Sequence, residues 1–128
     1  MQKLFLTIGI ILAGLAVILG AFGAHQLKKM VDPETVATYQ TGVQYQMYHA
    51  IAIIIAGILA GRLSGSLVNY AGLLFLGGVV LFSGSLYLIV SMQAMSRSIP
   101  AGIGILTPIG GLLFIAGWGM LLAAVIRD

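Results

Sequence analysis

Four long apolar segments, nearly free of charge, constrain this chain more than any other feature in it. They run from Leu4 to about Phe22, from about Val43 to Gly61, from about Leu67 to Met92 and from Pro108 to Ile126. Each is close to the roughly 20 residues that a helix rising about 1.5 Å per residue needs to cross about 30 Å of hydrocarbon. The expected fold is an all-α membrane protein, one domain of four transmembrane helices in an up-down bundle. Composition points the same way, because 60% of the 128 residues are hydrophobic and 7% are charged, against about 25% charged in an ordinary soluble domain.

The connections refine this picture. The link RLSGS between the second and third segments is short, so those two helices form an antiparallel hairpin. In the longer first loop, Asp32-Pro33-Glu34 reads as a helix start, with Asp as cap and Glu at the positive end of the dipole. A short interfacial helix is expected there before the second span, with a bend at Gly42. Thr107-Pro108 reads as an N-cap followed by proline at the first helical position, which leaves Ser98 to Leu106 at the interface. Met1-Gln2-Lys3, an apolar run, then Ala21 and Gly23 imitate a secretory signal, but the run is long for one and is read as a span. Positive charges tie, with Lys3, Arg62 and Arg127 on one side and Lys28, Lys29 and Arg97 on the other. The free amine beside Lys3 tips the expectation toward cytoplasmic termini.

Charge and residue inventory exclude several functions. A net charge of +3, scattered in ones and twos, is no nucleic-acid surface. Without cysteine there is no disulfide, iron–sulfur cluster or thiolate site. Two histidines with no carboxylate in the spans are a poor metal or haem set, and Asp32, Glu34 and Asp128 all lie outside the spans. No Ser-His-acid set and no membrane-embedded proton-carrying acid can therefore form. Gly110 and Gly111 lack the Lys and Ser/Thr of a phosphate loop. Neither an enzymatic activity nor a cofactor is expected.

Polar residues cluster where helix two begins. Between Thr38 and Ala50 stand three glutamines, three tyrosines and a histidine, immediately before the run IAIIIAGILAG. On a wheel at about 100° per residue, Ile51, Ile54, Ile55, Ile58 and Met47 share one side, suited to lipid, while Tyr45, His49, Ala52, Ala56 and Ala60 share the other. His49 falls about two turns inside a span that begins at Val43. On helix three, Phe75, Val79, Phe82, Leu86 and Ile89 form one face and Gly77, Gly84, Ser83, Tyr87 and Ser91 the other, with Ser85 off that stripe. Because the helices alternate in direction, His25, Tyr45, Tyr48, His49, Ser83, Tyr87 and Thr107 share one leaflet. They are the candidate polar pocket, with His49 at its centre, Ser83 and Tyr87 as neighbours, Tyr48 flanking and His25 at the rim. Trp118, near mid-span, requires a partner for its indole N–H.

The blocks GAFGAH (Gly20 to His25), TGVQYQMYHA (Thr41 to Ala50), LFSGSLY (Leu81 to Tyr87) and TPIGGLLFIAGW (Thr107 to Trp118) resemble the small membrane family catalogued as domain of unknown function 423, related to eukaryotic transmembrane protein 256. The resemblance implies a four-helix protein of the bacterial inner membrane and no assigned activity. Three readings stay open: a non-enzymatic binding or accessory protein whose pocket takes a lipid or amphipathic small molecule, a small transporter or channel subunit, and a purely structural membrane protein. Small-residue faces at Ala16, Gly20 and Ala24, at Ala52, Ala56 and Ala60, and at Gly119 and Ala123 lead to the expectation of a homo-oligomer.

Overall fold

The computed structural model describes Met1–Asp128. It has four helices long and apolar enough to cross a membrane and no strand: α1 (Gln2–His25), α2 (Pro33–Ala60), α3 (Leu67–Ala94) and α4 (Ala101–Arg127). A helix satisfies every backbone group along its length internally, which hydrocarbon demands. A 3₁₀ turn at Leu27–Lys29 leads from α1 into the first loop. The hairpin between α2 and α3 turns through Gly65 at φ +93°, a conformation that suits glycine. Ser64 donates from both its backbone N–H and its hydroxyl to the Asp128 carboxylate, at 2.7 and 2.6 Å, so the end of α4 is clasped to that hairpin.

Two expected boundaries are corrected. The interfacial helix and the second span are a single helix of 28 residues, about 42 Å long. Asp32 caps it as expected, accepting from the Thr35 N–H at 2.8 Å, and bonding from Thr35 holds the Asp32 carboxyl below its ordinary pKa. The helix runs uninterrupted through Gly42, whose carbonyl accepts the Ser83 hydroxyl at 2.6 Å and where a Cβ would touch the Tyr87 ring at 3.1 Å. The fourth helix starts at Ala101, and Pro108 lies inside it. Proline removes only the bond to the Gly104 carbonyl, whereas an irregular Ile103 to Leu106 would leave several backbone groups unpaired in an apolar setting.

Packing runs α1 on α2, α2 on α3 and α3 on α4. Phe5, Ala52, Ile53, Ala71, Phe75 and Phe114 form the heart of the larger core. On α1 the buried small residues are Gly9, Ala16 and Gly23, seven apart, a period that keeps one seam against a partner helix. Outward faces carry large aliphatics such as Ile18 at 65% exposure and Ile115 at 70%, as a lipid-facing surface requires. On α2, Ile51, Ile55 and Ile58 face out while His49, Ala52 and Ala56 are buried, as the wheel expects, but Ile54 and Met47 pack against the bundle and Tyr45 is exposed.

Candidate functional site

Two sets of side chains meet inside the bundle, and α2 contributes to both. Between α1, α2 and α3 lies a closed ladder of hydrogen bonds. The Tyr39 hydroxyl donates to the Leu19 carbonyl at 2.6 Å, and Gln46 donates from Nε2 to the Leu12 carbonyl at 2.8 Å. Gln46 Oε1 accepts the Tyr87 hydroxyl at 2.6 Å, so one buried amide ties three helices together. Both tyrosine rings also touch, with centroids 5.5 Å apart. Each polar group here has its partner within the protein, and nothing is left over for a ligand.

The second set opens sideways. Tyr45 and His49 on α2, Phe82 on α3 and Pro108, Gly111, Leu112, Phe114, Ile115 and Trp118 on α4 line a groove of about 580 Å³. Its floor is the His49 imidazole, stacked on the Phe114 ring at 3.5 Å and 8°. Tyr45 and Trp118, 38% and 46% exposed, flank that floor. His49 Nδ1 lies 2.8 Å from the Tyr45 carbonyl, which can only accept, and Nε2 lies 3.2 Å from the Trp118 indole N–H, which can only donate. The two bonds together define a neutral imidazole with its proton on Nδ1. Trp118 thus has the partner that a mid-span indole requires.

Local backbone geometry makes the groove. Residues Val79–Ser83 of α3 form a π turn, a feature often found at functional sites. That turn presents Phe82 directly against α4, where Gly110 has no side chain to collide with the Phe82 backbone. Next to it Gly111 leaves space in the groove, since a Cβ there would touch only Phe82 Cδ2 at 3.9 Å.

The seven residues of the candidate pocket are distributed rather than joined. Tyr45 and His49 line the groove. Ser83 and Tyr87 bond to Gly42 and Gln46 and make no hydrogen bond to His49. Thr107 shares a 2.6 Å bond with Ser85, a buried residue that itself donates to the Phe82 carbonyl. Tyr48 faces outward, edge-to-face on Tyr45 at 5.8 Å. His25 is exposed at the end of α1. Counted from the helix start at Pro33, His49 lies about 24 Å along α2. Sequence reasoning passed over Gln46, Tyr39, Ser85 and Phe114. Gln46 carried a usable signal, being four residues beyond Gly42 on the face that meets α3.

The family model described as "Protein of unknown function (DUF423)" matches residues 19–111. The chain belongs to the DUF423 family. Among the relatives of this DUF423 chain, the UPF0382 membrane protein YwdK of Bacillus subtilis (strain 168) is 44% identical over 127 residues, covering 98% of each chain. The UPF0382 membrane protein SAB0533 of Staphylococcus aureus (strain bovine RF122 / ET3-1) is 42% identical over 126 residues, again 98% of each. No solved structure matches. The chain is an integral membrane protein of unassigned activity, and the matched residues take in all of α2 and α3 with the polar side chains of the ladder.

Proposed function

We propose that this DUF423 protein is a non-enzymatic binding protein of the bacterial inner membrane, with both termini cytoplasmic, that holds a lipid chain or amphipathic small molecule in the α2–α4 groove. The observation that carries this reading is the groove itself: about 580 Å³, open on the lipid-facing side of α4 and free of charged residues. Ligand sites fall at roughly 300–1,000 Å³ and are mostly apolar with a few placed polar groups. The candidate pocket thereby contracts to Tyr45 and His49 and gains Phe114 and Trp118. Both termini share one end, since Asp128 bonds Ser64 and a Cβ at Gly61 would meet the Gln2 side chain. Reporter fusions at Asp128 that are active only outside the cytoplasm overturn the orientation. Ala16, Ala52 and Ala56 are consumed within the monomer, whereas Gly119 on α4 and Ala24 on α1 remain open to a second copy in a homo-oligomer.

Trp118 is the single tryptophan and it lines the groove, so its fluorescence reports occupancy. In vesicles of phosphatidylcholine brominated along the acyl chains, the wild-type protein is expected to be quenched more than the Gly111→Leu variant, whose added side chain fills the groove. Equal quenching of the two proteins defeats the proposal.

A further inference from the structure

The chemistry of the groove wall narrows what it takes, on the premise that it takes a lipophile at all. Three observations converge. None of the nine lining residues is charged, so an ionic headgroup finds no counter-charge there. The exposed rings of Tyr45 and Trp118 flank the buried His49–Phe114 stack, and aromatic side chains of this kind favour a flat, unsaturated guest. Finally, the hydrogen-bonding groups of the wall are already engaged, with one exception. His49 and Trp118 satisfy each other and the Tyr45 carbonyl. The hydroxyls of Tyr39 and Tyr87 are bonded within the protein, whereas the Tyr45 hydroxyl makes no such bond. Tyr45 belongs to a helix long and apolar enough to cross a membrane, and in hydrocarbon an unmet donor costs about 1–3 kcal/mol.

We infer that the groove binds an uncharged lipophile that carries a carbonyl on a flat ring and an apolar tail, with the carbonyl accepting from the Tyr45 hydroxyl. The ring lies between the exposed Tyr45 and Trp118 side chains, with the rim of the buried His49–Phe114 stack at its base. The tail leaves along Leu112 and Ile115, which border the lipid at 66% and 70% exposure. Such compounds dissolve in the bilayer interior, so they reach a groove between spanning helices by lateral diffusion. A phospholipid shares the apolar tail but keeps its charged group at the membrane surface, well above His49.

The test uses full-length protein in dioleoylphosphatidylcholine vesicles, titrated with a decyl-substituted benzoquinone and, separately, with decylbenzene, which has ring and tail but no carbonyl. Trp118 fluorescence is followed, with the probe-induced shift in melting temperature as a second readout. Saturable binding of the quinone is expected for the wild type, about two- to tenfold weaker for Tyr45→Phe, the loss of one hydrogen bond. Decylbenzene is expected to bind both proteins alike. Gly111→Leu should bind neither probe, and if Tyr45→Phe does not fold, wild-type affinity for the quinone no greater than for decylbenzene overturns the carbonyl assignment. Quinone affinity unchanged in Tyr45→Phe, or a response that never saturates, overturns the carbonyl assignment. If brominated chains still distinguish wild type from Gly111→Leu, the groove as a lipid site survives that result; if they do not, both ideas fall.

Discussion

The α1–α2 seam and the α2–α4 groove are built from the same kinds of residue and end in opposite states. In the seam, glycine lets helices close: a Cβ at Gly9 would stand 2.6 Å from Ile54 Cγ1 and 2.9 Å from the Ala50 carbonyl. Polar side chains there span the contact and donate to carbonyls of α1, so the interface is both tight and fully paired. Across the molecule, Gly110 allows an equally close approach to Phe82, but Gly111 beside it faces open space. His49 and Trp118 pair with each other while their rings stay at the groove wall. Lipid offers no hydrophobic drive for helices to associate, so contact requires shape and hydrogen bonds. The seam has both along its length, whereas α4 leaves an opening beside Gly111.

Substitutions separate the two regions. The largest effect is expected from Gly9→Leu, where an added side chain meets a neighbouring backbone; overpacking of this kind costs about 1–3 kcal/mol or more. Gly111→Leu, the same change in the groove, should leave unfolding in detergent nearly unaltered. Equal losses in the two variants would erase the distinction between closed seam and open groove. Next in size is Gln46→Leu. It strands the Tyr87 hydroxyl inside the bundle and is expected to lower stability by about 1–3 kcal/mol in chemical unfolding.

Tyrosines sharpen the contrast further. Tyr39→Phe removes the 2.6 Å bond to the Leu19 carbonyl and is expected to cost about 0.5–1.5 kcal/mol, whereas Tyr45→Phe removes no bond within the chain and should leave the melting temperature in place. A larger loss at Tyr45 than at Tyr39 would mean that the groove, not the seam, carries the stability. The smallest effect belongs to pH at the hairpin end. Bonds from Ser64 hold the Asp128 carboxyl below its ordinary pKa. A group depressed in the folded state contributes its stability above the unfolded pKa and loses it as pH falls through the lower folded value. The difference in melting temperature between wild type and Ser64→Ala should therefore be steady at neutral pH and close below the usual carboxylate range.

Much of the fold was legible in the residues because the bilayer imposes one rule on all of them. Length and hydropathy mark four spans, Asp32-Pro33 marks the start of α2, and the isoleucine stripe of α2 marks a lipid face. Local patterns misplaced the ends of helices where a local signal competed with a global demand. Thr107-Pro108 has the form of a helix start, yet Thr107 bonds Ser85 and the helix continues through it, because unpaired backbone in an apolar setting costs more than one bond lost to proline.

For the site, the sequence by itself determined which polar residues enter the membrane and that Tyr45 and His49, four apart, act on one face of α2. It could not determine their partners, because hydrogen bonds such as Tyr87 to Gln46 and Trp118 to His49 join residues 41 and 69 positions apart. Those pairings depend on how far each helix extends and on a π turn that shifts α3 by a fraction of a turn, and neither is written in a helical period. Only the packed bundle decided that Ser83 and Tyr87 close the seam while His49 turns to Trp118 and the groove, since a side chain in hydrocarbon pairs with the nearest group that satisfies it.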